Sequence, residues 1–249
     1  MQLPFRQYIA HRGLHNLTNG VPENSLLAFS NAIKWGLSIE LDVNITSDGR
    51  VVVFHDRTLK RACNDNRLVE NISYGELSKL KLFGTEYKIP TLEETLKAVN
   101  GRVPLLIELK SQVKTNLRLC KAVSKELSNY EGECCVQSFY PPALYWFRRH
   151  HPEILRGQLA SDFIKTPERG ILSTLSGWLM FNFLSRPDFI SYDQRFARSF
   201  PLRLVKLFGA KCCGWTFKTD KEWQKKRRNS QKRGTAAGFD FCIFEDFLP

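Results

Sequence analysis

The sequence predicts a parallel (β/α)8 barrel, and three observations carry that expectation. Short β-rich runs alternate with segments of helical periodicity along the chain. The β-rich runs number eight, the count at which such a sheet closes on itself. The length, 249 residues, suits one α/β domain with a full core.

The first strand is predicted at 8–12, ending in His11-Arg12. A helix follows over 25–34, where Leu26, Phe29, Ala32 and Ile33 form one apolar stripe behind Ser25. The remaining strands are predicted at 38–43, 104–109, 134–138, 156–160, 189–192, 211–216 and 240–244. Helices are predicted between them over 91–99, 116–127, 142–150 and 200–208, the first opening on the cap signature Thr91-Leu92-Glu93-Glu94. Little chain follows the last strand, so the final outer helix is expected to be short or absent.

One run breaks the alternation. Val51 to Phe54 follows the second strand after only Ser47-Asp48-Gly49-Arg50, too short for a parallel crossover. Asp48-Gly49 predicts a hairpin with a two-residue loop, so that paired residue numbers sum to about 97. Asp42 then lies opposite His55 and Glu40 opposite Arg57, all on one face. Residues 57–103 exceed a simple connection and are read as a small insertion over the barrel mouth, within a single domain spanning 1–249.

The net charge of +12 predicts attraction to anions: nucleic acid, an anionic membrane face or a phosphorylated small molecule. The densest basic run, Lys225-Lys226-Arg227-Arg228 with Lys232-Arg233, lacks interleaved aromatics for base stacking. It reads as a solvated helix end, and no nucleic-acid partner is expected. Seven cysteines without C-x-x-C spacing support neither a zinc site nor a disulfide framework. A reduced, cytoplasmic protein is expected, since Met1 to Gln7 shows no secretory signal pattern. The longest apolar stretch, Ile171 to Leu184, is too short to span a bilayer. A core helix is its plain reading; peripheral contact with an anionic membrane through Trp178 is the sharper one.

The chemistry concentrates at strand ends. Glu40 and Asp42, two apart on a strand, share a face, and Glu108 ends another strand. Two carboxylates about 4 Å apart repel by roughly 4 kcal/mol at an effective dielectric near 20, so such a set wants a cation. Oxygen ligands suit Mg²⁺ or Ca²⁺. His11 and His55 are the acid/base candidates, and Arg12 and Lys110 the positive charges for a phosphodiester. Glu23 and Asn24 sit where helix capping is expected, with Glu23 also able to orient Arg12. Trp215 could wall a pocket. His15, His150 and His151 read as peripheral. The whole set suits metal-assisted cleavage of a phosphate ester, with a non-enzymatic anion-binding module as the competing class.

These residues fall in an ordered signature: His11-Arg12-Gly13, Pro22-Glu23-Asn24-Ser25, Glu40-x-Asp42-Val43, Thr46-x-Asp48-Gly49, Val52-Val53-x-His55-Asp56, Ile89-Pro90-Thr91-Leu92-Glu93-Glu94, Glu108-x-Lys110, Gln137-Ser138-Phe139 and Trp215-Thr216. With it the chain resembles the glycerophosphodiester phosphodiesterase family in its small bacterial single-domain form. The resemblance implies a TIM barrel of the phospholipase-C-like type with an insertion after the His-Asp motif. It implies a divalent metal held by Glu40, Asp42 and Glu108, with His11 and His55 as acid and base. The implied reaction takes glycerophosphodiesters such as glycerophosphocholine or glycerophosphoethanolamine to an alcohol and sn-glycerol 3-phosphate. A lysophospholipase D-like activity at a membrane surface is the alternative. One departure is visible: the usual aspartate and proline after the last strand are replaced by Phe244-Glu245-Asp246.

Overall fold

The computed structural model describes residues 3–111, 115–161, 182–232 and 238–249. Its strands are β1 (Tyr8–Ala10), β2 (Ser38–Ile45), β3 (Val51–Val53), β4 (Leu105–Leu109), β5 (Cys134–Ser138), β6 (Leu155–Ala160), β7 (Phe189–Asp193), β8 (Lys211–Phe217) and β9 (Phe241–Phe244). All but β3 run parallel, in the order β1-β2-β4-β5-β6-β7-β8-β9, and β1 pairs with both β2 and β9. The sheet is therefore a closed eight-stranded barrel, wrapped by helices as the alternation predicted. The outer helices include α1 (Leu26–Lys34), α4 (Leu92–Val99), α5 (Asn116–Leu127), α6 (Pro141–His150), α8 (Phe200–Leu207) and α9 (Asp220–Lys232). Between them lie the shorter α2 (Lys60–Cys63), α3 (Tyr74–Leu77) and α7 (Asn182–Ser185). Among the described residues no helix follows β9.

Local chemistry sets the helix starts. The Ser25 hydroxyl accepts from the Ala28 amide, and Thr91 and Glu94 close a reciprocal capping box. Pro141 opens α6, where its missing N–H costs nothing.

Strand alternation then sorts the side chains. Ile39, Leu41 and Val43 face outward with Leu105, Ile107 and Val136, and meet Phe29, Leu96, Val123 and Phe147 of the helices. Each large apolar side chain buried there contributes about 1.5–3 kcal/mol. Inside the barrel, Phe5, Ile9, Leu106, Cys135, Phe189, Cys213 and Ile243 form an apolar plug near the strands' N-terminal ends. Above that plug the inward positions turn polar: Glu40, Asp42, Glu108, Gln137 and Ser191, all buried. The functional end is thereby the C-terminal end of the barrel.

The hairpin differs from its predicted register. Val43 pairs with Val53, Asn44 with Val52 and Ile45 with Val51, one residue off the expected pairing. The loop has three residues, because the Thr46 amide donates to Arg50 O (3.0 Å) and the Thr46 hydroxyl accepts from the Arg50 amide (3.0 Å). Only Gly49 adopts a positive φ (+87°), whereas a two-residue type I′ loop needs it at both central positions. A one-residue slip exchanges the two faces. Phe54, not His55, is thus opposite Asp42, and Arg57 pairs with Glu70 rather than facing Glu40. The ladder stops at Val53, and His55 sits beyond it in a bend.

Residues 59–89 form a separate apolar cluster (Leu59, Ala62, Val69, Ile72, Leu77, Leu82 and Ile89) against Val52 and Phe54 of the hairpin. All seven cysteines are free thiols. Most of the apolar stretch 171–184 and Arg233 lie outside the described residues, including Trp178; Phe183 and Leu184 on α7 are exposed. No helix among the described residues is long and apolar enough to cross a membrane.

Candidate active site

Three carboxylates meet at the centre of the polar end. Asp42 and Glu108 are direct neighbours across β2 and β4, and Glu40 lies two residues before Asp42 on the same face. One oxygen from each lies within 4.8 Å of the others, and all three side chains are buried. Their repulsion is only partly offset by local cations. Lys110 Nζ stands 2.5 Å from Glu108 Oε1 and 2.9 Å from Asp42 Oδ1, and Arg12 Nε is 3.2 Å from Asp42 Oδ2. Burial would raise the Asp42 carboxyl, but Lys110 and Arg12 outweigh it and hold it well below the usual range. Glu40 behaves oppositely: burial first, then Asp42 and Glu108, push it well above 4.5. The trio thus carries one carboxylate too many for its own cations. Such a buried, all-oxygen set fits a hard divalent cation.

His11 and His55 line one cavity of about 130 Å³ together with Arg12, Glu40, Glu108, Lys110, Gln137, Phe139 and Trp215. Each ring is held from behind. His11 Nδ1 donates to Glu245 Oε2 (2.7 Å), and His55 Nδ1 donates to Asp56 Oδ1 (2.6 Å). Both acceptors are kept ionised. The His11 hydrogen bond, with Lys218, holds the Glu245 carboxyl well below its ordinary value; Asp56 is lowered, against burial, by Arg61 and His55. An ionised carboxylate only accepts, so each histidine keeps its proton on Nδ1 and leaves Nε2 as the reactive atom. Burial, reinforced by Lys110 and Arg12 and opposed by Asp42, lowers the His55 pKa and favours its neutral form.

The loop after β1 is tightly constrained. The His11 amide donates to Phe244 O of β9 (2.9 Å), and the Arg12 amide to Glu40 Oε2 (3.0 Å). Arg12 and Asn24 both have φ of +54°, an uncommon region for side-chain-bearing residues. The Asn24 amide donates to Arg12 O (2.9 Å), and its side chain donates to Asp42 Oδ2 (2.8 Å). Glu23 accepts from Arg12 Nη1 (2.9 Å). Gly13, at φ +79°, abuts α1 so closely that a Cβ would stand 2.9 Å from the Ala28 backbone. Gly13→Ala is therefore expected to cost on the order of 1–3 kcal/mol, through strain and overlap together. Thermal melting checks this; an unchanged midpoint would mean that the loop adjusts freely.

The structure brings His11, Arg12, Glu40, His55, Glu108, Lys110 and Trp215 to one cavity, with Asp42, Glu23 and Asn24 immediately behind. Trp215 meets Phe139 edge-on at 5.7 Å, forming an aromatic wall. Three residues without a role in the sequence reading also belong here. Asp56 and Glu245 orient the histidines, and Arg61 on α2 ties Asp56 to Glu23. For Asp56 the signal was adjacency to His55. For Glu245 it was the altered segment after the last strand.

Comparison with known proteins gives the family of the chain. The model of the glycerophosphoryl diester phosphodiesterase family matches residues 11–247. A glycerophosphodiester phosphodiesterase of Bacillus altitudinis is 34% identical over 170 residues, which is 64% of this chain and 68% of that protein. A human lysophospholipase D is 36% identical over 142 residues, spanning 51% of this chain and 42% of that one. Among solved structures, a phosphodiesterase of Oleispira antarctica in complex with the product sn-glycerol-3-phosphate has a TM-score of 0.79 at 24% identity, and shares the fold over 97% of this chain and 93% of its own. The chain is a phosphoric diester hydrolase and belongs to the glycerophosphoryl diester phosphodiesterase family.

Proposed function

We propose that this hydrolase cleaves small glycerophosphodiesters, such as glycerophosphocholine and glycerophosphoethanolamine, to an alcohol and sn-glycerol 3-phosphate by histidine acid–base catalysis. One observation carries the reading: two imidazoles, each anchored at Nδ1 by a carboxylate, line the same cavity as a three-carboxylate cluster. Glu40, Asp42 and Glu108 would hold Mg²⁺ or Ca²⁺. When bound, such a cation supplies Lewis-acid stabilisation of the phosphoryl oxygens.

The chain's own groups do the rest. Arg12 and Lys110 add positive charge beside the phosphodiester. Neutral His55 takes the proton from the attacking hydroxyl, either water or the substrate's neighbouring alcohol, at Nε2. His11 enters the step as the imidazolium, with Nδ1 held by Glu245, and gives its Nε2 proton to the leaving alkoxide. Phe139 and Trp215 cover the less polar part of the substrate and exclude water.

The test is a coupled assay for glycerol 3-phosphate on glycerophosphocholine and glycerophosphoethanolamine, beside an assay for released choline on glycerophosphocholine and lysophosphatidylcholine, with and without chelator. Chelator-sensitive release of glycerol 3-phosphate from the first two is expected, and its absence would reject the reading. The human lysophospholipase D match, with exposed Phe200, Leu204 and Leu207 along α8 and Phe208 just after it, favours a second reading. Preferential turnover of lysophosphatidylcholine, with sedimentation on anionic vesicles, would replace the first reading by that one.

A further inference from the structure

We propose that Arg61, outside the cavity on α2, is a positioning residue for both halves of the active site. The inference rests on the acid–base reading above and adds a part to it. His55 lies past the end of β3, so no strand ladder sets its ring. Its orientation depends on Asp56, the next residue along an irregular segment, and Asp56 in turn depends on Arg61. The Arg61 guanidinium grips Asp56 through Nε to Oδ2 (2.6 Å) and Nη2 to Oδ1 (3.2 Å). Its outer edge grips Glu23 through Nη2 to Oε1 (2.6 Å) and Nη1 to Oε2 (3.1 Å).

Glu23 Oε1 is shared: it also accepts from Arg12 Nη1 at 2.9 Å, and Arg12 continues to Asp42. One planar fork therefore joins His55–Asp56 to Glu23–Arg12–Asp42. A guanidinium can serve two carboxylates in this way, whereas an ammonium offers only a point charge. Phe83 lies beneath the guanidinium, 5.4 Å from ring centroid to its carbon, and helps set its plane. The contacts are half exposed, so their contribution to overall stability is small. Their consequence lies in where His55 and Arg12 point.

The test is steady-state kinetics on glycerophosphocholine with the full, metal-loaded chain, alongside thermal melting. Arg61→Ala is expected to lower kcat/KM by about 10–100-fold, as loss of such supporting contacts does elsewhere, with little change in melting. Asp56→Asn should act mainly on kcat, through His55, and Glu23→Gln mainly on KM, through Arg12. Arg61→Ala combined with Asp56→Asn should fall well short of the product of the single effects, because both break one contact. Arg61→Lys should recover part of the loss, and added guanidinium should reactivate Arg61→Ala while leaving wild type unchanged. Should Arg61→Ala fail to fold, Arg61→Gln, which keeps the stem over Phe83, takes its place.

Activity of the Arg61 variant within about twofold of wild type, or a multiplicative double variant without guanidinium rescue, would overturn the inference. His55→Ala measured in parallel separates the two failures. If His55→Ala turns over normally, the acid–base reading falls. If it is inactive while Arg61→Ala is normal, only the role of Arg61 falls.

Discussion

Replacing His11 or His55 with alanine is expected to lower kcat by about 10²–10⁴-fold, the range that positioned proton transfer contributes. The effect belongs in kcat because each ring presents Nε2 to the cavity while its Nδ1 is committed to Glu245 or Asp56. The fold should survive. Both side chains are partly exposed, at 17% and 32%, so their removal leaves no sealed apolar void. Circular dichroism and melting establish that, and single-turnover kinetics separate chemistry from product release. The double variant should lose little more than the worse single one if both rings serve one concerted proton path. Two small, independent losses would show instead that the histidines only shape the cavity.

How far the site could be read in advance depended on the range of the forces that build it. Strand and helix alternation is local, with periods of 2 and 3.6 residues, and the barrel order follows from it. The Glu40–Asp42 pair obeys the same short period, and parallel pairing adds Glu108 directly beside Asp42. The hairpin register was not legible. It turned on whether Thr46 would use its hydroxyl to hold Arg50, a side-chain choice that overrode the Asp-Gly signal. His55 consequently reaches the cavity by a bend after β3 and not by strand register. Contacts across the chain were equally hidden. Glu245 meets His11 over 234 positions, and Arg61 meets Glu23 over 38, with no periodicity to announce either.

A divalent cation is expected to raise the melting temperature, and Glu40→Gln to abolish most of that rise. The argument runs through the excess charge of the trio. Without a cation, folding places Glu40 among Asp42, Glu108 and a buried surround that raise its pKa, so the folded chain retains a proton there. The unfolded chain releases that proton near 4.5. For a group raised on folding, stability is lost as pH climbs from the unfolded value through the folded one. Asp42 has the opposite sign: its depressed pKa adds stability above the unfolded value, lost only in acid. Metal-free wild type should therefore weaken from mildly acid to neutral pH more than metal-free Glu40→Gln, which keeps the other raised carboxyl, Glu126, but lacks this one.

At a concentration 100 times its dissociation constant, a cation that binds only the folded state adds about 2.7 kcal/mol. For a chain of this size that corresponds to a shift of about 5–10 °C. Melting of chelator-treated protein, with Mg²⁺ or Ca²⁺ titrated back at two pH values, reads both effects without relying on turnover. A shift of equal size in Glu40→Gln would remove Glu40 from the cation site. No shift in wild type at saturating Mg²⁺ or Ca²⁺ would leave Lys110 and Arg12 as the trio's only counter-charges, and the chemistry would then rest on the histidines and those two cations alone.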